Sequence, residues 1–276
     1  MRTQAEKGRL FRALHERPGI FVIPNPWDAG TAKLLASLGF EALATTSWGY
    51  ASAMGRIDGA GAVSREELLA NCAEIVKATD LPVSADLENG YADEPEKAAE
   101  MTRLGAEVGL VGGSIEDATG DPANPVYPFE LAVERVAAAV RVARSLPFTF
   151  TLTARAENFF LGKPDLDDTI RRLQAFEKAG ADVLYAPGLR DLASIRKVTA
   201  AVKKPVNVVM GLADPNLTAR QLEDAGVKRI SVGGALSRLA FAAVRDAGLA
   251  MRDQGSFTWL HGAMPGKDVK SILKGG

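Results

Sequence analysis

The chain has 276 residues, 47% of them hydrophobic, which is enough core-forming material for one large α/β domain or two ordinary ones. Lys plus Arg total 33 against 34 Asp plus Glu, a formal net charge of -1, so nothing electrostatic favours nucleic acid or an anionic membrane as a partner. Cys72 is the only cysteine, which excludes an intrachain disulfide or a multi-cysteine metal site and fits a reducing, cytoplasmic setting. The first residues, MRTQAEKGRLFRALHERPG, are charged and lack an apolar stretch, so no signal peptide is expected. No segment approaches the roughly 18 apolar residues of a spanning helix.

Taken in chain order, apolar runs rich in β-branched residues recur, each followed by a segment of helical period. They are FVIPN from Phe21, ALATTS from Ala42, PVSADLE from Pro82, VGLVGGSIED from Val108, FTLTARAE from Phe150, VLYAPG from Val183, PVNVVM from Pro205 and RISVGG from Arg229. Continuous runs of this kind describe strands buried on both faces. Between them, TAKLLASLGF puts Leu34, Leu35 and Leu38 on one face with Gly39 as a natural stop. SREELLANCAEIVKATD opens with Ser64 three residues before Glu67, a capping box, and places Cys72 on an apolar stripe as a core residue. Asp28 reads as a helix N-cap. Right-handed crossovers make the sheet parallel, and eight strands favour closure into a (β/α)8 TIM barrel spanning residues 1–276 as one domain. The longest loop, DATGDPANPVYP from Asp117 to Pro128, holds four prolines and glycines and is expected to form neither helix nor strand. The tail from Ser256 reads as a helical extension, residues 256–276, whose Phe257, Trp259 and Leu260 pack either on a second subunit or on the same barrel.

Reacting groups of such barrels sit at the C-terminal ends of strands. There the sequence offers Ser47, with Asp58 eleven residues on, then Asp86 and Glu88, Glu116 and Asp117, and Arg155 with Glu157. Several carboxylates meeting at one mouth repel each other unless a cation lies among them. The two histidines, His15 and His261, lie near the termini, so the donor set is oxygen and calls for a hard ion, Mg2+ or Mn2+. Other readings stay open: Asp86 and Glu88 as solvated loop acids, Ser47 as a cap, and Gly233–Gly234 as either a tight turn or a phosphate cradle.

The set TTSWG, MGRIDG, PVSADLENGY, SIEDA and TARAEN, in this order, resembles the isocitrate lyase and phosphoenolpyruvate mutase superfamily from about Pro24 to Ala247. The resemblance implies a barrel with terminal helices swapped between subunits of a dimer or tetramer. It implies Asp86 as the direct Mg2+ ligand and Asp58, Glu88 and Glu116 as acids holding the ion through water. Ser47 with the N–H groups of Trp48 and Gly49 resembles a cradle for substrate carboxylate and enolate oxygen, and Arg155 a binder of carboxylate or phosphonate. Asn124 falls where the mutase branch has a gating-loop asparagine, which makes the Pro-rich loop a lid candidate. The chain departs from the lyase branch in lacking its KKCGH-type loop, and from the mutase branch in having Pro122 where a lysine is usual. Trp48 replaces a small residue, and Tyr185 ends the sixth strand without histidine or glutamate.

The expected activity is a Mg2+-dependent lyase or decarboxylase acting on a short 2-oxo diacid through an enolate, with Tyr127, Tyr185 or a metal-bound water as proton donor. The alternatives are phosphonopyruvate mutase or hydrolase chemistry, and a barrel that binds metal and carboxylate without turnover. A small carboxylate or phosphonate is the expected ligand.

Overall fold

The computed structural model describes residues 1–59 and 61–275. After an N-terminal helix α1 (Gln4–Glu16), strands and helices alternate: β1 (Phe21–Ile23), α2 (Ala29–Ser37), β2 (Leu43–Ala44), α3 (Ser47–Ala53), α4 (Arg65–Ala78), β3 (Val83–Asp86), α5 (Pro95–Glu107), β4 (Gly112–Glu116) and α6 (Phe129–Ser145). The second half continues with β5 (Thr151–Arg155), α7 (Leu166–Ala179), β6 (Val183–Tyr185), α8 (Leu192–Ala201), β7 (Val206–Val209), α9 (Ala219–Asp224), β8 (Arg229–Ser231), α10 (Ala235–Gln254) and α11 (Gly266–Lys274).

The eight strands pair in parallel in the order β1-β8-β7-β6-β5-β4-β3-β2. Between β1 and β2 the ring is drawn together by two bonds: Ala44 N–H donates to the Pro24 carbonyl at 3.1 Å and Asn25 Nδ2 to the Thr45 carbonyl at 3.0 Å. The expected (β/α)8 barrel is the observed one.

Local chemistry explains the boundaries. Capping boxes open α1 (Thr3 with Glu6), α2 (Asp28 with Thr31) and α4 (Ser64 with Glu67), satisfying amide donors that a helix start leaves unpaired. Gly39, at φ +85°, adopts the left-handed turn that ends α2. Outward residues such as Leu152, Ala154, Leu184 and Ile230 join the core beneath the helices, together with fully buried Cys72.

The barrel interior, in contrast, is largely polar. Ser84, Ser114, Asn207 and Ser231 line it, and Thr153 reaches into it to meet Arg229. The end where the strands begin is closed by α1, whose Phe11 and Leu14 cluster with Phe21, Ile23, Ala42 and Val111. The fit there is close: a Cβ on Gly112 would lie 2.7 Å from the Phe11 ring. The interior is therefore open at the strand C-termini and plugged at the other end.

Helix α10 leaves the barrel. Ser237 is its only buried residue among those described, and Leu239, Phe241 and Val244 are 54–74% exposed. Phe257, Trp259 and Leu260 are exposed too, while α11 lies against α2, where Lys33 Nζ donates to the Leu273 carbonyl at 2.6 Å. Among the described residues, no helix is long and apolar enough to cross a membrane.

Candidate active site

Four neighbouring strands end in functional side chains: Asp86 on β3, Glu116 on β4, Arg155 on β5 and Tyr185 on β6. Strand register sets Glu116 beside Arg155 and Arg155 beside Tyr185. Arg155 is the hub. Its Nη1 donates to Asp86 Oδ1 at 2.7 Å, its Nη2 lies 3.0 Å from Glu116 Oε2, and its Nε donates to Glu157 Oε1 at 2.8 Å. Its guanidinium carbon also sits 5.1 Å from the centre of the Tyr185 ring, a cation–π distance.

Three carboxylates around one guanidinium crowd negative charge together, and burial with that crowding raises the neighbouring carboxyls. Burial pushes the Glu116 carboxyl well above its ordinary range, with Glu157, Asp86 and Glu88 adding repulsion that Arg155 only partly offsets. Burial, then Asp86, pushes Glu88 up to about 7 and also raises Asp58. Burial alone would pull Arg155 down, but Glu116, Glu157 and Asp86 outweigh it and hold it firmly protonated.

Ser47 donates to Asp86 Oδ2 at 3.2 Å and borders the same cleft as Asp58. The sequence placed Ser47 at a strand end; it is instead the first residue of α3, because Thr46 caps that helix by accepting from Gly49 N–H at 3.3 Å. Of the expected cradle amides, Gly49 N–H is thus engaged by the cap, while Ser47 and Trp48 line the cavity.

Strand β3 ends at Asp86, so Glu88 is not on the strand as its spacing suggested. It has a left-handed backbone, φ +49°, and its Oε1 accepts from the Tyr91 hydroxyl at 3.1 Å. Nevertheless Asp58, Asp86, Glu88, Glu116 and Arg155 all border one cleft. Among the described residues, no group of three or more histidine, cysteine, aspartate or glutamate side chains is placed to hold a metal ion.

Asn124 is not brought to this cleft. It is exposed, and its Nδ2 donates to Asp121 Oδ2 at 3.1 Å within its own loop. That loop carries one isolated bridge, Ala118 to Val126, and otherwise no regular structure, as its prolines require. Tyr127 is buried away from the cavity with its hydroxyl donating to Asp93 Oδ1 at 2.6 Å. Tyr185 remains at the mouth. The Val232 and Gly233 amides both donate to Asn25 Oδ1 at 2.9 Å, so Gly233–Gly234 forms a turn tied to Asn25.

Below the acids, a cavity of about 250 Å3 continues into the barrel, bounded by Arg155, Tyr185, Asn207, Arg229 and Ser231. Asn25, Asn207, Arg229 and Ser231 were not anticipated from the sequence. The available signal was polar residues at alternate, inward positions of otherwise apolar runs, as in VNVV and RIS.

An acid-ringed mouth over a cavity of this size, at the C-terminal ends of the strands, has the place and form of a barrel enzyme's active site. The model of the phosphoenolpyruvate phosphomutase family matches residues 11–252, and the chain belongs to that family, within the isocitrate lyase and phosphoenolpyruvate mutase superfamily, whose enzymes cleave or rearrange C–C or C–P bonds. A protein of Mycobacterium tuberculosis (strain H37Rv) without assigned function is 31% identical over 244 residues, 88% of this chain and 89% of its own. The oxaloacetate decarboxylase of Ectopseudomonas mendocina (strain ymp) is 29% identical over 251 residues, 88% and 83% of the two chains. Among solved structures, a Burkholderia cenocepacia J2315 protein described as a lyase/mutase superposes with a TM-score of 0.95 at 57% identity, covering 97% of this chain and 95% of that one. A second from the same organism, described as a phosphonomutase, has a TM-score of 0.81 at 37% identity, covering 88% and 98%. Phosphonopyruvate hydrolase, in complex with oxalate and Mg2+, shares the fold at 22% identity, with a TM-score of 0.86 over 98% and 95%.

Proposed function

We propose that the chain is a Mg2+-dependent lyase that breaks a carbon–carbon bond in a short 2-oxo diacid, oxaloacetate being the simplest example. The observation that carries this is the charge imbalance at the mouth: Asp86, Glu116 and Glu157 share one guanidinium, while half-buried Asp58 and Glu88 border the same cleft. An all-oxygen donor set with surplus negative charge suits a hard divalent ion. Asp86 would hold it directly, with Asp58, Glu88 and Glu116 acting through water, since Mg2+ keeps several of its waters. When bound, the ion supplies positive charge against the oxygen on which electrons collect as the bond breaks.

The chain's own groups do the rest. Arg155 pairs with a substrate carboxylate, and Ser47 donates toward the enolate oxygen from the start of α3. For oxaloacetate, the bond between C3 and C4 breaks, carbon dioxide leaves, and the electron pair passes to the enolate of pyruvate. Tyr185 returns a proton to C3 and recovers one from water. Burial raises the Tyr185 hydroxyl above its ordinary range, which keeps it protonated between turnovers. Trp48 and Phe160 border the space beside its polar walls.

The 29% identity with an oxaloacetate decarboxylase supports this reading. Carbon–phosphorus chemistry is the second reading, favoured by the family model and by the likeness to a protein described as a phosphonomutase. The exposed apolar face of α10 suits exchange of terminal helices in a dimer or tetramer, and the lone buried cysteine suits the cytoplasm. A panel of 2-oxo acids, 2-hydroxy diacids and phosphonates assayed with Mg2+ decides between the readings. Turnover of a 2-oxo diacid is expected; turnover confined to phosphonates would overturn the first reading.

A further inference from the structure

Arg229 opens β8 and turns into the barrel, 6% exposed. Its neighbours are all neutral: Nε donates to Asn207 Oδ1 at 2.8 Å, Nη1 to His15 Nε2 at 3.3 Å and Nη2 to Thr153 Oγ1 at 3.1 Å. His15 is fixed as acceptor, because its Nδ1 must donate to the Phe11 carbonyl at 2.8 Å. Burial lowers the guanidinium only to about 10, so it is charged at neutral pH, and no carboxylate among the described residues faces it. The other deeply buried arginines differ. Arg155 has three acids, Arg172 has Asp117 and Asp168, and Arg135 is clasped by backbone carbonyls.

An isolated buried charge costs several kcal/mol unless something answers it. Arg229 borders the same cavity as Arg155, together with the uncharged donors Asn207, Ser231 and Tyr185. Of five guanidinium N–H groups three are engaged, leaving one on each terminal nitrogen. We propose that Arg229 is the floor of a second anion subsite inside the barrel, taking a carboxylate-sized anion. The anion is either the far carboxylate of a dicarboxylate substrate or a free small anion from solvent. The first source rests on the lyase reading above; the subsite itself does not. With a substrate bridging both ends, Arg155 and the acid mouth handle the reacting end while Arg229 selects for a second negative group.

The test is a crystal of the full chain grown in bromide. An anomalous peak against the Arg229 guanidinium is expected, and it disappears in Arg229→Gln. Bromide at other positions but none at Arg229 in the wild-type protein overturns the subsite and leaves Arg229 as a tie between α1, β5, β7 and β8. Should Arg229→Gln fail to fold, the wild-type map alone decides. A second crystal with bromide, Mg2+ and malate separates the sources: a malate carboxylate replacing bromide at Arg229 assigns the subsite to substrate, and bromide retained assigns it to a free anion. In the first case Arg229→Gln also raises KM for a 2-oxo diacid about tenfold or more relative to a one-carboxylate 2-oxo acid. The bromide result needs no turnover, so failure of the lyase reading leaves it standing.

Discussion

Gly234 and Trp48 are packed so closely that a Cβ on the glycine would lie 2.6 Å from Trp48 Cε3. The glycine's φ is -74°, so alanine is tolerated by the backbone and the conflict is purely steric. Trp48 is the second residue of α3, directly after Ser47, so moving its ring disturbs the wall that faces Asp86. Gly234→Ala should therefore keep the fold, lose about 1–3 kcal/mol of stability, and lower kcat/KM on whichever substrate is found. Thermal melts and steady-state kinetics on the same preparation check this; unchanged kinetics would show that the Trp48 wall does not shape the pocket.

Arg155→Ala removes the one cation shared by Asp86, Glu116 and Glu157. Breaking a buried network of this kind typically costs about 3–5 kcal/mol. KM for a dianionic substrate should rise strongly, and Mg2+ should restore part of the lost stability by answering the released acids. Urea unfolding with and without Mg2+ measures the loss of stability and its recovery, and steady-state kinetics measures KM. An unchanged KM would place the substrate anion elsewhere.

His15 sits edge-on between the rings of Phe11 and Phe21, at 4.8 and 4.9 Å, and accepts from Arg229. Burial, then Arg229, drives its pKa down from 6.5 to about 3. Between those values the unfolded chain binds a proton that the folded chain refuses. Stability from this group is therefore complete above pH 6.5 and is lost as pH falls toward 3, at about 1.4 kcal/mol per pH unit at full slope. His15→Gln keeps an acceptor for Arg229 but cannot titrate. The difference between the two proteins' stability curves should be flat above pH 6.5 and change across this window; parallel curves throughout would contradict the assignment.

The turn after β3 carries two non-glycine residues with left-handed backbones, Glu88 at φ +49° and Tyr91 at φ +58°. Arg135, stacked on Tyr127 at 4.1 Å, holds the turn by donating to the carbonyls of Asn89, Ala92 and Asp93. Arg135→Met should release it, weakening Mg2+ affinity through misplaced Glu88 while leaving Asp86 in position. Calorimetry on this variant is expected to show weaker but measurable Mg2+ binding; affinity equal to wild type would mean that the turn does not hold Glu88 for the ion.

The barrel was legible because strands covered on both faces write long apolar runs, and Asp86, Glu116 and Arg155 stood out as the polar residues closing them. Helix α3 was not legible. SWGYASA is short and rich in small residues, and Thr46 turns β2 into a helix within two residues. The role of α1 was hidden too, since Phe11 and Leu14 mean little until the far end of the barrel needs a plug. Asn207 and Arg229 sit at inward positions of runs only four and three residues long, so the alternation that marks them is a faint signal and the polar interior emerges in three dimensions.

Magnesium titration of the wild-type protein and Asp86→Ala by calorimetry, with folding verified by circular dichroism, tests the metal site most directly. One ion per chain binding to the wild type, and none to the folded variant, is the predicted result. Mg2+ affinity preserved in Asp86→Ala, or no binding to the wild type even beside an inert dicarboxylate such as oxalate, would contradict it.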